Sequence, residues 1–129
     1  MKRIIHFVPA VAWACTMLYF TLIPGNDVPD FLVQFSDLFL HWAIYLLNYA
    51  LFYLGFIGWK LNRPAPVRVQ WLLLGISLTI GGGLELIQEF YVEGRTGSVY
   101  DMVANTIGCL FGFAIFRWWK PRRSKSVLA

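Results

Sequence analysis

Leu38 to Trp59 reads LFLHWAIYLLNYALFYLGFIGW, a run without one Asp, Glu, Lys or Arg. A helix needs about 20 predominantly apolar residues to cross the hydrocarbon core of a bilayer, and this run has that length. Three further segments qualify, so the spans expected are about 4–24, 38–59, 70–91 and 99–119. An open sheet would leave backbone groups unpaired in lipid, so each span must be helical. The expectation is one all-α domain over 1–129: an integral membrane four-helix bundle with up-down topology.

Composition supports lipid as the solvent. Hydrophobic residues make up 58% of the 129 residues and charged residues 14%, where a soluble domain carries about a quarter charged. The net charge of +4 does not point to nucleic acid, because the basic residues stand in short blocks between apolar runs. Cys15 and Cys109 both lie inside apolar runs and form neither a disulfide framework nor a metal-spacing motif. They read as small buried apolar side chains.

Lys2 and Arg3 precede the first apolar run, as they would in a cleaved signal, and Ala12-Trp13-Ala14-Cys15 faintly resembles a lipoprotein cleavage site. Trp13 is too bulky for that reading, and the run continues through Leu18, Phe20 and Ile23, a length that suits a span. Lys60, Arg63 and Arg68 lie between spans two and three. Arg117, Lys120, Arg122, Arg123 and Lys125 end the chain, and of the 11 Lys and Arg only Arg95 falls on the opposite side. That opposite side carries Asp27, Asp30, Asp37 and Glu93. The positive-inside rule then puts both termini in the cytoplasm. The stretch Pro29 to Phe35 mixes polar residues with apolar rings and reads either as a segment lying in the outer interface or as an ordinary loop.

Polar residues inside spans are costly, which makes them functional candidates. Asp37, His41 and Tyr45 are four apart and share a helix face, with Asn48 three further on. Ser77, Gly81, Glu85 and Gln88 form a second stripe; Asp101, Asn105, Gly108 and Gly112 form a third. The two glycines of the third stripe are a small-xxx-small pattern that lets backbones approach. With both termini inside, Asp37, His41, Glu85, Gln88, Asp101 and Asn105 all fall within about the outer third of the bilayer.

The chemistry available there is specific. Asp37 can orient His41 from one turn away, giving a histidine–carboxylate pair of general-base type. A desolvated Glu85 suits proton exchange. His41, Asp37, Glu85 and Asp101 are thus the catalytic candidates, and Arg95, Gln88, Asn105 and Tyr45 the substrate-binding ones. Arg95 could grip a phosphate or carboxylate bidentately. The four catalytic candidates could also ligate a divalent metal, but no tight ligand spacing is present, so no metal and no cofactor is expected. Plainer readings stand beside each. His41 could bond Glu85 or a backbone carbonyl within the bundle. Asp101 could cap span four, and Arg95 could neutralise Glu93 or Asp101. Asn105 and Gln88 could be interhelical glue, and Glu89, partly off the Glu85 face, could reach interfacial water. The basic tail fixes topology, or binds anionic headgroups, and Trp118 and Trp119 read as interfacial anchors.

The pattern Asp37-x3-His41-x3-Tyr45, then Gly81-x3-Glu85-x2-Gln88, then Arg95-x5-Asp101-x3-Asn105-x2-Gly108 resembles the VanZ-like family in order, spacing and helix placement, over nearly the whole chain. One departure is Leu38, where members often carry Lys after the first Asp. The family is named for a membrane protein that lowers sensitivity to teicoplanin, a glycopeptide with a lipid tail. The resemblance therefore implies a bacterial membrane protein with a link to antibiotic resistance, and not a mechanism.

Three functions compete on this reading. One is a binding module for envelope lipids or a lipid-anchored glycopeptide, with Arg95 as the anion contact. Another is a membrane enzyme acting on an envelope lipid or lipid-linked precursor, with His41 and Asp37 as base and orienter and Glu85 as acid. Ser98 is then the nearest hydroxyl, and water the expected nucleophile. The third is a structural bundle without a site, in which the polar residues specify packing or homo-oligomer formation.

Overall fold

The computed structural model describes residues 4–27, 37–60, 63–95 and 97–119. Four α-helices appear and, among the described residues, no strand: α1 (Val8–Leu22), α2 (Asp37–Phe56), α3 (Val67–Tyr91) and α4 (Val99–Trp118). A 3-10 turn, Ile4–Phe7, leads into α1 and another, Gly25–Asp27, follows it. Each helix, α1 together with its leading turn, is long and apolar enough to cross a membrane. Pro29 to Phe35, Lys2, Arg3, Lys120, Arg122, Arg123 and Lys125, on which parts of the interface and charge readings rest, lie outside the described residues.

Two helix ends differ from expectation by three residues, each for a local reason. α3 starts at Val67 rather than 70, because Pro66 holds extended backbone (ψ 144°) and nothing after it breaks a helix. Val69 and Gln70 donate from their backbone N–H to Pro66 O, at 2.9 and 3.1 Å. α2 stops at Phe56 rather than 59. Gly58 takes φ +63°, and Trp59 N bonds Leu54 O at 2.9 Å while Gly58 N bonds Gly55 O at 3.2 Å. That pair of bonds is a Schellman closure, with glycine where left-handed backbone is needed. Trp59, itself at φ +60°, is held by its indole N–H, which donates to His6 O at 3.1 Å.

Contacts between helices set their directions. His6 meets Trp59 and Trp13 Nε1 donates to Ile44 O at 3.3 Å, so α1 and α2 run antiparallel. Tyr49 OH donates to Gln70 O at 3.4 Å while His41 lies 3.5 Å from Glu85, so α2 and α3 run antiparallel. Trp42 faces Gly108 and Tyr49 faces Gly112, so α2 and α4 run parallel. The result is an up-down bundle. Asp37, Tyr91 and Val99 stand at one end, and the exposed Lys60, Arg63, Arg68 and Arg117 at the other.

The buried centre is a column of tyrosines four apart on α2. Tyr45, Tyr49 and Tyr53 are all buried, and Tyr53 stacks on Phe116 with ring centroids 4.2 Å apart. Tyr53 OH accepts from Ala65 N at 3.0 Å, so the phenol that enters the core finds a partner. The outside is the reverse of a soluble protein: Leu72, Phe90 and Ile76 are exposed. The hydroxyls of Thr16, Thr21, Thr79 and Thr106 each donate to the carbonyl four residues earlier, at 2.8–2.9 Å. A threonine satisfied by its own helix can face lipid without an orphan donor.

α4 lies closest to α2 because it has no side chain at the crossing. A Cβ at Gly108 would collide with Trp42 O, and one at Gly112 would press on the Tyr49 ring at 2.9 Å and Leu46 O at 3.2 Å. Gly81 makes the matching space for Tyr45 on α3, whereas Gly75, Gly82 and Gly83 have nothing within 4 Å. Gly108→Ala is therefore expected to lower stability in detergent by about 1–3 kcal/mol, since backbone must move. Gly82→Ala should be neutral or raise it by up to about 1 kcal/mol through helix propensity. Thermal or denaturant unfolding of the two variants checks the contrast, and equal losses would contradict it.

Candidate functional site

At the end where α2 begins, α3 finishes and α4 begins, three helices bring polar side chains together. His41 of α2 is the centre. Its Nδ1 lies 2.9 Å from Asn105 Oδ1 of α4, and Asn105 Nδ2 donates to Glu85 Oε1 of α3 at 3.2 Å. The carboxylate can only accept, so it selects which way the Asn105 amide faces. The amide oxygen then faces His41, and Nδ1 of the neutral ring carries the hydrogen. That tautomer leaves Nε2 as the open nitrogen.

Nε2 faces two acids. Asp37 Oδ1 and Asp101 Oδ2 each lie 3.9 Å from it, too far for a hydrogen bond. Asp37 stands at the surface, its side chain 75% exposed, whereas those of Asp101 and Glu85 are 11% and 5% exposed. The residue that orients His41 by hydrogen bonding is thus Asn105, with Asp37 beside the other ring nitrogen. Glu85 Oε2 is buried and has no partner among the described residues.

Asp101 sits one turn into α4, but the cap is Ser98, whose Oγ accepts from Asp101 N at 3.4 Å. The Asp101 carboxylate is therefore free to turn toward His41. Ser98 is tied to the start of the helix in this way. Tyr45 is buried one turn below His41, its ring against Gly81. Further down, Asn48 and Ser77 are wholly buried, with side-chain atoms that lack partners among the described residues.

Arg95 belongs to a second group at the same end. With the Gln88 amide in the orientation that hydrogen bonding selects, its oxygen accepts from Arg95 Nε at 2.8 Å and Nη2 at 2.9 Å. Arg95 Nη1 donates to Phe20 O at 3.3 Å. Phe20 is in the last turn of α1, where carbonyls have no helical partner and a cation is favoured. Arg95 thus fastens the α3–α4 loop to α1, and among the described residues it makes no ion pair with an acid. Glu89 Oε2 accepts from Gly97 N at 2.5 Å, so it closes the same loop.

The structure brings Asp37, His41, Glu85, Asp101 and Asn105 into one cluster, with Tyr45 beneath it. Gln88 and Arg95 form the adjoining brace. The contributions of Phe20 O and of the Glu89–Gly97 bond are absent from the sequence reading. Phe20 acts through its backbone, which no residue type announces, and Glu89 bonds a backbone N–H across a loop.

A sequence model of the family described as VanZ/LLP1 matches residues 2–120. No curated protein and no solved structure matches the chain. The match spans all four helices and every residue of the cluster, and the four apolar helices fit a multi-pass membrane protein. The chain is a member of the VanZ/LLP1 family.

Proposed function

We propose that the chain is a multi-pass protein of the bacterial cytoplasmic membrane, both termini in the cytoplasm, whose acid–histidine–amide cluster receives the polar head of an envelope lipid or lipid-linked glycopeptide at the outer face. One observation carries this reading. His41 Nδ1 is committed to Asn105, while Nε2 faces one oxygen of each of two carboxylates, at 3.9 Å, with no donor hydrogen-bonded to those oxygens among the described residues. Such an arrangement favours a ligand rich in hydroxyls, such as a sugar, which can donate to the acids and offer oxygen in return. The apolar helices beside it would take the lipid tail.

Arg95 has a more limited role in this reading than an anion clamp. Three of its N–H groups are engaged by Gln88 and Phe20 O; about two of the five a guanidinium offers are left for an acceptor on the ligand. Family membership supports a link to resistance, since the family takes its name from a protein that lowers sensitivity to teicoplanin. An enzymatic reading is favoured by the same tautomer, since an open Nε2 held in place by Asn105 could take a proton from water.

In cells expressing the chain, sensitivity to a lipoglycopeptide should fall at least fourfold relative to cells without it. His41→Ala and Asp101→Asn should abolish that protection at unchanged membrane levels of protein. If wild-type expression gives no protection, or both variants protect fully, the binding reading fails. A lipid profile that changes with the wild-type chain and not with His41→Ala would favour the enzyme instead.

Orientation has its own test. Reporter fusions should place the 60–66 turn in the cytoplasm and the loop bearing Glu93 outside; the reverse pattern would move the cluster to the inner face.

A further inference from the structure

We propose that Asp37, His41 and Asp101 form a binding site for a divalent cation of the zinc or manganese class. One ligand atom from each of the three lies within 4.8 Å of the others. The three residues come from two helices packed side by side, so the grouping is a product of the fold and not of local sequence. Imidazole nitrogen with two carboxylates is a donor set that suits borderline divalent ions.

A second observation is independent of the acids. A metal-binding histidine is commonly held by a hydrogen bond from its other ring nitrogen. Here Nδ1 is held by Asn105 Oδ1 at 2.9 Å, and Asn105 is itself tied to Glu85 Oε1 at 3.2 Å. With Nδ1 so engaged, Nε2 faces two carboxylate oxygens at 3.9 Å, and a positive charge carried between them, by a ring proton or by a metal ion, would hold the three together. Glu85, its side chain 5% exposed and with Oε2 lacking a partner among the described residues, adds a third acid behind the ring. Among the described residues no Lys or Arg stands within ion-pair distance of these acids, and the nearby Arg95 is engaged by Gln88 and Phe20 O.

The donor atoms, spread over up to 4.8 Å, must draw together to bind one ion. Metal–ligand bonds of about 2.0–2.2 Å require donor atoms somewhat nearer than the 3.9 Å seen between Nε2 and each carboxylate oxygen. Asp37, three-quarters exposed, is free to make that adjustment. Three protein donors leave coordination positions open, and an oxygen of the bound headgroup would take one. The inference rests on the cluster being a site, and it adds the ion through which the ligand is held.

The test is calorimetric titration of the purified full-length protein, stripped with chelator in detergent, with Zn2+, Mn2+ and Mg2+ as separate probes. One ion per chain is expected, with Zn2+ or Mn2+ tighter than Mg2+. Asp101→Asn and His41→Gln should each weaken binding at least tenfold, and Glu93→Gln, on an exposed loop acid, should leave it unchanged. Because the buried variants could fail to fold, Asp37→Asn at the surface serves as the second arm and should also weaken binding tenfold. Absence of saturable binding by the wild-type protein overturns the proposal. So does equal binding by wild type and folded variants, which would mark the ion as adventitious. Metal binding that depends on these residues, in cells where the same variants leave glycopeptide protection intact, would keep the cation site and remove the proposed function.

Discussion

Asn105 touches two helices besides its own. Its amide oxygen holds His41 of α2 and its amide nitrogen holds Glu85 of α3. A carboxylate in a lipid-spanning bundle is expensive to keep unless hydrogen-bonded, and this amide supplies Glu85 with its partner while setting the tautomer of the histidine. Everything proposed for the open Nε2 follows from those two hydrogen bonds of one side chain, one accepted from His41 and one donated to Glu85. Removing that side chain would leave a buried acid and a freely rotating imidazole at the same time.

The Asn105 contact is possible only because α4 comes very close to α2. Gly108, one turn below Asn105, rests on the Trp42 backbone, and Gly112 rests on Tyr49. Larger residues would push the helices apart and draw Asn105 away from His41. In lipid the usual hydrophobic drive between helices is missing, so association relies on such close packing and on interhelical hydrogen bonds. The packing that stabilises the bundle and the geometry of the site thus have a common cause. Arg95 acts at the neighbouring corner: by joining Gln88 and Phe20 O it ties α1 to the α3 end of the bundle.

The spans were legible because lipid demands long apolar runs, and the positions of Pro66 and Gly58 account for where two of them start and stop. The stripes were legible as well. Ser77, Gly81, Glu85 and Gln88 are all buried, as are Asp101, Asn105, Gly108 and Gly112. Spacing by three or four residues places side chains on one face whatever that face meets. Which residues pair across helices was less visible. Asp37 is the neighbour of His41 in sequence, yet Asn105, 64 residues away, is its hydrogen-bond partner. The pairing depends on how each helix is rotated and on a glycine contact at Gly108, and no single-helix period encodes either. Backbone acceptors such as Phe20 O are invisible for a different reason, since every residue has one.

The most direct measurement is a double-mutant cycle between Asn105 and Glu85, using Asn105→Ala, Glu85→Ala and the double variant, each of which removes one partner of the bond, read by reversible unfolding of the protein in detergent or bicelles. If one amide joins the helices as described, the two changes should be coupled by about 1 kcal/mol, the size found for hydrogen bonds between membrane helices. Losses that add to within about 0.3 kcal/mol would mean that the two side chains do not meet, and the cluster as drawn would be wrong.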